Sequence, residues 1–139
     1  VYDVLNSIFT QAIEENLRDV AEGGSFYEEY IKAASLLVQY RDVVIHVYNS
    51  KNRDIVTNYL ERLTAEIVRG YIARKSEGQN ISDKDLEFIS YFYSYAIIGS
   101  TYKWIESGMK ADFKHFIGKI ADSIDATLPV MISKAGKGD

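Results

Sequence analysis

The sequence predicts an all-α protein built as one bundle of about six helices. Apolar residues recur at spacings of three and four along most of the 139 residues, which is the periodicity of amphipathic helices. The one proline, Pro129, lies near the C-terminus, so the rest of the chain is free of the residue that most effectively breaks helices. A hydrophobic content of 47% is ample for a continuous core, and we expect one compact domain.

Two glycines separate the first two predicted helices. The first helix covers residues 1–21, where apolar residues keep helical spacing until Gly23–Gly24 ends the pattern. Ser25 and Glu28 then have the spacing of a capping box, in which two side chains satisfy main-chain N–H groups at a helix start. The second helix therefore begins near Ser25 and runs to about Gln39.

The segment Asp42–Tyr48 has the least regular pattern. It is rich in β-branched residues and, on propensity alone, predicts a strand. A lone strand would leave its main-chain groups unpaired, and no other segment offers it a partner. We therefore expect a short buried helix here.

A long fourth helix follows and ends near Gly78. Asn49, Ser50 and Asn52 can each cap its start. Its inward stripe has helical spacing and consists of Val56, Leu60, Leu63, Ile67 and Tyr71.

The fifth predicted helix, residues 83–107, carries almost no charge along its middle. Ser82 and Asp85 form a second capping box, and Gly108 ends the helix. Apolar side chains point in every direction around its axis, and a helix that is apolar all round is buried on more than one side. A second copy of the chain is the simplest cover, and the alternative is that this helix is the central rod of a monomer.

The last helix begins after Asp112, which is a predicted cap. Pro129 is expected to end this helix, because proline lacks the main-chain N–H that a helix requires. These limits divide the chain into a helical domain, residues 1–128, and a frayed C-terminal tail, residues 129–139.

Several classes of function are excluded by composition. The chain has no cysteine and two histidines, so we expect no metal site. It contains no phosphate-binding glycine loop, nucleophile elbow or paired His and Cys, so we expect neither enzyme activity nor a cofactor. A net charge of -4 without a basic cluster argues against DNA binding by this polypeptide itself. The longest charge-free stretch, residues 88–102, is rich in tyrosine, so we expect no membrane span and a cytoplasmic location.

The fifth helix also carries a family resemblance. Residues 91–108, Tyr-Phe-Tyr-Ser-Tyr-Ala-Ile-Ile-Gly-Ser-Thr-Tyr-Lys-Trp-Ile-Glu-Ser-Gly, followed by a final helix, resemble the C-terminal domain of TetR-like transcriptional regulators of the Firmicute type. The recurring motif is a glycine, then Trp-Ile, then a second glycine. The order of helices resembles that domain along essentially the whole chain, and the N-terminal helix-turn-helix head of such regulators is not in this sequence.

This resemblance implies a regulatory function. It implies a homodimer in which the last two helices of each copy form a four-helix interface. It also implies an unknown small-molecule effector, enclosed by the middle helices, that alters the DNA affinity of the missing N-terminal head. DNA would be a partner through that head alone. The alternative is a helical protein-interaction module that dimerises and holds no ligand.

Candidate residues follow for both sites. The candidate dimer interface consists of Phe92, Tyr95, Gly99, Tyr102, Phe113, Phe116, Ile117, Ile120 and Ile124. The candidate ligand-binding residues, an aromatic set with polar tips, are Tyr30, His46, Tyr59, Tyr93 and Ile97. The other interpretation of this second set is an ordinary aromatic core whose polar groups are hydrogen-bonded.

Overall fold

The computed structural model describes residues 2–19 and 24–137. Within those ranges the regular structure is entirely helical, which confirms the predicted fold class. The helices are α1 (Tyr2–Asp19), α2 (Phe26–Gln39), α3 (Arg41–Tyr48), α4 (Asp54–Lys75), α5 (Asp83–Glu106) and α6 (Phe113–Lys137). The expected end of the first helix at residues 20–21, and Gly23 after it, lie outside the described residues.

Three helices begin at the caps that the sequence predicts. The Ser25 hydroxyl accepts a hydrogen bond from the main-chain N–H of Glu28, at the start of α2. Ser82 does the same for the N–H of Asp85 at the start of α5. The carboxylate of Asp112 accepts from the N–H of the third residue after it, at the start of α6. Each cap satisfies a main-chain donor that a helix start leaves free, so these boundaries are locally determined.

The β-branched segment Asp42–Tyr48 is helical, as predicted. It forms most of α3, where Val44, Val47 and Tyr48 are buried against the rest of the bundle. Strand propensity is small, and burial of three side chains in a helical bundle outweighs it.

The long helix α4 lies at the centre of the bundle. It contacts α1, α2, α3 and α5, while α6 packs against α2 and α5. Trp104 stacks on Phe116 at one end of the α5–α6 pair, with ring centroids 5.3 Å apart. Tyr93 and Thr127 meet at the other end, with their hydroxyl oxygens 2.6 Å apart. The last two helices therefore form an antiparallel hairpin.

The helix end predicted at Pro129 is wrong, because α6 continues through that proline to Lys137. An interior proline costs a helix about 3 kcal/mol. Leu128 and Ile132 are both buried on the side of α6 that faces the core. Burying one such side chain contributes about 1.5–3 kcal/mol, so the continued apolar stripe offsets the cost of the proline. The segment expected to be a frayed tail is thus helical over residues 129–137.

Candidate functional site

The middle of α5 is buried on one side and open on the other. Ile89, Tyr93 and Ile97 are buried on the core side. The opposite side carries four aromatic side chains that are 46%, 49%, 51% and 67% exposed, namely Phe88, Tyr91, Phe92 and Tyr95. We call these four residues the aromatic face. No residue among those that the structure describes covers this second side of α5.

The four rings of the aromatic face form one continuous patch. The ring centroid of Phe88 lies 5.2 Å from that of Tyr91 and 5.9 Å from that of Phe92. Tyr91 and Tyr95 are 6.2 Å apart. Contiguous exposed apolar patches are uncommon on monomeric proteins and mark sites where another molecule binds.

The surface of α5 is flat in the turns that follow the aromatic face. Ala96, Gly99 and Ser100 are exposed and small. A methyl group at Gly99 would meet no atom within 4 Å. Small residues at this point allow the main chain of a second helix to approach closely.

The neighbouring helix α6 also carries an exposed apolar side chain. Val130 is 56% exposed. The bond between Tyr93 and Thr127 fixes the register of the hairpin. Phe88 precedes Tyr93 by more than one turn and Val130 follows Thr127 by almost one turn, so both lie towards the same end of the hairpin.

The predicted interface residues fall into three groups. Phe92, Tyr95 and Gly99 are exposed on α5, whereas Phe113, Phe116, Ile120 and Tyr102 are half-buried. Ile117 and Ile124 are buried in the domain's own core, and we leave them out of any interface. Helical spacing identified an apolar stripe on α6 without showing that the stripe faces α2 as well as α5.

Tyr102 belongs to a contact inside the domain. Its ring packs against Tyr48 of α3, with centroids 5.8 Å apart. Tyr48 in turn donates a hydrogen bond to Glu106, with a distance of 2.7 Å between the oxygens. Burial, followed by the bond and charge of Glu106, raises the pKa of Tyr48 to about 12, so its hydroxyl stays a donor at neutral pH.

Sequence reasoning omitted Phe88, Tyr91 and Val130 from the interface. Phe88 lies four residues before Phe92 on the same side of the helix, so helical spacing could have found it. Tyr91 lies four residues before Tyr95 and could have been found in the same way. Val130 gave no such signal, because its exposure depends on where α6 packs.

Four of the five predicted ligand residues are buried in the bundle, and the fifth, His46, is exposed. The hydroxyl oxygens of Tyr30 and Thr64 are 3.0 Å apart in the core. Tyr59 donates to the main-chain carbonyl of Ala33 at 3.0 Å. Burial raises the pKa of both tyrosines, so both stay neutral. His46 is exposed on α3 and points away from this interior.

The other two members of that set lie on the core side of α5. Tyr93 is engaged with Thr127, and Ile97 is buried. With each tyrosine hydroxyl bonded inside the domain, the polar tips expected to hold a ligand are already occupied.

A cleft lies elsewhere, between the start of α2, the end of α4 and the middle of α6. Its volume is about 770 Å³. Its walls consist of Gly24, Ser25, Tyr71, Lys75, Gln79, Asp125, Leu128, Pro129, Ile132 and Ser133. We call it the α6 cleft. Sequence reasoning missed it, because half of its wall belongs to a stretch of α6 at and around Pro129, where a helix end was expected.

One hydrogen bond joins two walls of the α6 cleft. Tyr71 of α4 donates to the carboxylate of Asp125 of α6 over 3.1 Å. The Lys75 ammonium lies 5.5 Å from the centre of the Tyr71 ring. Burial, and then the bond to Asp125, raise the pKa of Tyr71 to about 12, so this hydroxyl is a donor at neutral pH.

Two absences hold for the described part of the chain. Those residues contain no group of three or more His, Asp or Glu side chains placed to hold a metal ion. Among the same residues, no helix is long and apolar enough to span a bilayer.

These features define the class of protein as an all-helical domain with an antiparallel C-terminal hairpin and an exposed aromatic face. Residues 24–126 match the family model described as the transcriptional regulator C-terminal region, of the TetR type. The match covers most of the chain, from α2 into α6, and the chain belongs to this family. The resemblance found in residues 91–108 is thereby confirmed. Neither the curated proteins nor the solved structures gave a match to this chain.

Proposed function

We propose that this domain is the homodimerisation and effector-binding part of a TetR-type transcriptional regulator. Dimerisation would pair the DNA-binding heads that precede α1 in such regulators. The regulator would act on DNA in the cytoplasm, with contact to DNA made by the heads.

The aromatic face is the observation that carries the dimer. Aromatic residues are enriched at the centres of protein interfaces, where each buries a large area at a small cost in side-chain entropy. The four rings lie on one of the last two helices of the chain, with the flat surface around Gly99 directly beside them. A twofold axis through this region would place α5 against its copy, and α6 from each chain would complete a four-helix interface.

Contacts inside the domain support a link between the interface and the heads. α1 packs on α4, and α4 packs along α5. This packing supports transmission of a change in α5 geometry to α1 through α4. Effector control needs only that the ligand bind two arrangements of the dimer with different affinity, and the coupling is typically about 1–3 kcal/mol.

Light scattering coupled to size exclusion tests the dimer. The wild-type chain at micromolar concentration should have twice the chain mass of 15.8 kDa. Phe92→Glu and Tyr95→Glu should each yield monomers, because each would bury a charge in the interface. Val38→Glu is the matched control, since Val38 is 43% exposed on α2, away from this face. A wild-type monomer, or a dimer that survives both substitutions, would contradict the proposal.

A second candidate is a dimerisation module without any ligand. The hydrogen bonds of Tyr30, Tyr59 and Tyr93 favour this candidate, because these hydroxyls have partners inside the domain without a ligand. The two candidates differ in whether small molecules raise the melting temperature. A ligand at about 100 times its dissociation constant stabilises a fold by about 2.7 kcal/mol, and a broad screen without any such shift would favour the second candidate.

A further inference from the structure

The wall of the α6 cleft contains a main-chain carbonyl that lacks the hydrogen bond a regular helix would give it. Pro129 lies inside α6 and has no main-chain N–H. The carbonyl of Asp125, four residues earlier, therefore lacks its usual helical donor. Both residues line the α6 cleft, and the Asp125 carboxylate accepts a hydrogen bond from Tyr71, which lines the cleft as well. One residue thus brings two hydrogen-bond acceptors to one place.

Two carboxylates and two basic groups lie near Tyr71 at the cleft. The carboxylates of Asp125 and Glu29 both raise the pKa of Tyr71, and Arg74, which lowers it, has the smallest effect. Arg74 pairs with Glu29, at 2.5 Å. Lys75 also lines the cleft, with its ammonium 5.5 Å from the centre of the Tyr71 ring. Asp125 and Lys75 are the charged residues of the wall, and the Asp125 carboxylate is the group there with which a protonated amine would pair.

The cleft also has an apolar floor. Tyr71, Leu128 and Ile132 are buried and line it together. A volume of about 770 Å³ lies within the usual range for small-molecule sites. Such sites combine a mainly apolar wall with a few polar groups that orient the ligand, and this cleft has both.

We propose that the α6 cleft binds a small molecule with an apolar body and a protonated amine, the amine at the carboxylate and main-chain carbonyl of Asp125. Its body packs on Pro129, over the floor that Tyr71, Leu128 and Ile132 form. Because the cleft joins α2 and α4 to α6, an occupied cleft holds the last helix in one position relative to the core. The role of this ligand as the effector rests on the proposed function, whereas the binding itself does not.

A matched set of probes tests the charge preference. 2-Phenylethylamine, 2-phenylethanol and 3-phenylpropionate share an aromatic body and differ in the polar end. In a titration followed by amide NMR, the amine should shift signals of Lys75, Leu128 and Ser133 with an affinity that is roughly millimolar for a ligand this small. The carboxylate should bind at least about tenfold more weakly, since it would face Asp125. Equal binding of the amine and the acid, or shifts confined to another surface, would overturn the proposal.

Two variants locate the amine at Asp125. Asp125→Asn should weaken amine binding by about tenfold or more, because it removes the charge from the hydrogen bond. Asp122→Asn, on an exposed turn of the same helix outside the cleft, should leave binding unchanged. Pro129→Ala should restore a donor to the Asp125 carbonyl and weaken binding while it raises the stability of α6. Loss of binding in this variant could not be attributed to misfolding. Full binding in Asp125→Asn would show the assignment to be wrong.

Light scattering on the same samples separates this proposal from the dimer. A monomeric chain that binds the amine in the cleft supports the site and contradicts the proposed dimer. A dimeric chain whose cleft signals do not respond to the amine overturns the site alone.

Discussion

The hydroxyl oxygens of Tyr93 and Thr127 lie 2.6 Å apart and join the last two helices. Thr127 also donates to the main-chain carbonyl of Ser123, at 2.7 Å. A threonine hydroxyl has one proton, so Tyr93 is the donor in the bond between the helices. This bond sets the position of α6 against the helix that carries the aromatic face.

Tyr93→Phe should lower the free energy of unfolding by about 0.5–1.5 kcal/mol, because it removes one hydrogen bond and keeps the buried ring. Urea denaturation measures the change. Tyr91→Phe is the matched control, since the Tyr91 ring is half-exposed. Loss of the Tyr91 hydroxyl should alter the free energy of unfolding by less than about 0.5 kcal/mol. Equal effects of the two substitutions would show that the bond to Thr127 contributes nothing.

Thr64→Val should destabilise the fold by about 1–3 kcal/mol, because it keeps the shape of the side chain and deprives the buried Tyr30 hydroxyl of this partner. Tyr30→Phe combined with Thr64→Val removes both polar groups and should recover part of the loss. A double-mutant cycle in urea gives the coupling. Additive losses would argue that the two hydroxyls do not interact.

Alkaline pH should destabilise the domain through its buried tyrosines. The pKa of Tyr71 is raised from its usual value of 10.0 to about 12, chiefly by burial. Below about pH 10 both folded and unfolded states keep this proton, and the stability is fully present. As pH rises from about 10 to about 12 the unfolded state loses the proton first, so stability falls over that window.

Urea unfolding at a series of pH values up to about 11 measures that fall. Tyr71→Phe should reduce its slope, whereas Phe88→Leu keeps every tyrosine and should retain the slope of the wild-type chain. If the free energy of unfolding falls with pH as steeply in Tyr71→Phe as in the wild-type chain, other tyrosines cause the loss of stability at alkaline pH.

Two glycines next to the hairpin should respond to alanine in opposite directions. Gly108 has a φ of +85°, in the left-handed region, so Gly108→Ala should destabilise the turn after α5 by about 1–2 kcal/mol. Gly99 is an exposed interior residue of α5 with open space around it, so Gly99→Ala should stabilise a single chain by about 0.5–1 kcal/mol. Thermal unfolding compares them, and destabilisation by both would contradict the open surface at Gly99.

Much of the fold follows from local signals. The caps at Ser25, Ser82 and Asp112 are interactions within one turn of the chain, and the structure places helix starts at all three. The helical form of Asp42–Tyr48 follows from the absence of a partner strand. The helix end predicted at Pro129 was wrong because the cost of proline in a helix is local. The burial of Ile132 that offsets this cost depends on other helices.

The sequence by itself determined the helices, their order and the family, because periodicity, caps and short motifs lie within a few residues of one another. Only the tertiary structure decided which sides of those helices are open. α5 is apolar in several directions, and the packing of α4 and α6 leaves Tyr95 exposed while Tyr102 lies against α3. The α6 cleft likewise needs Tyr71 and Asp125, which are 54 residues apart and meet only when α4 and α6 pack.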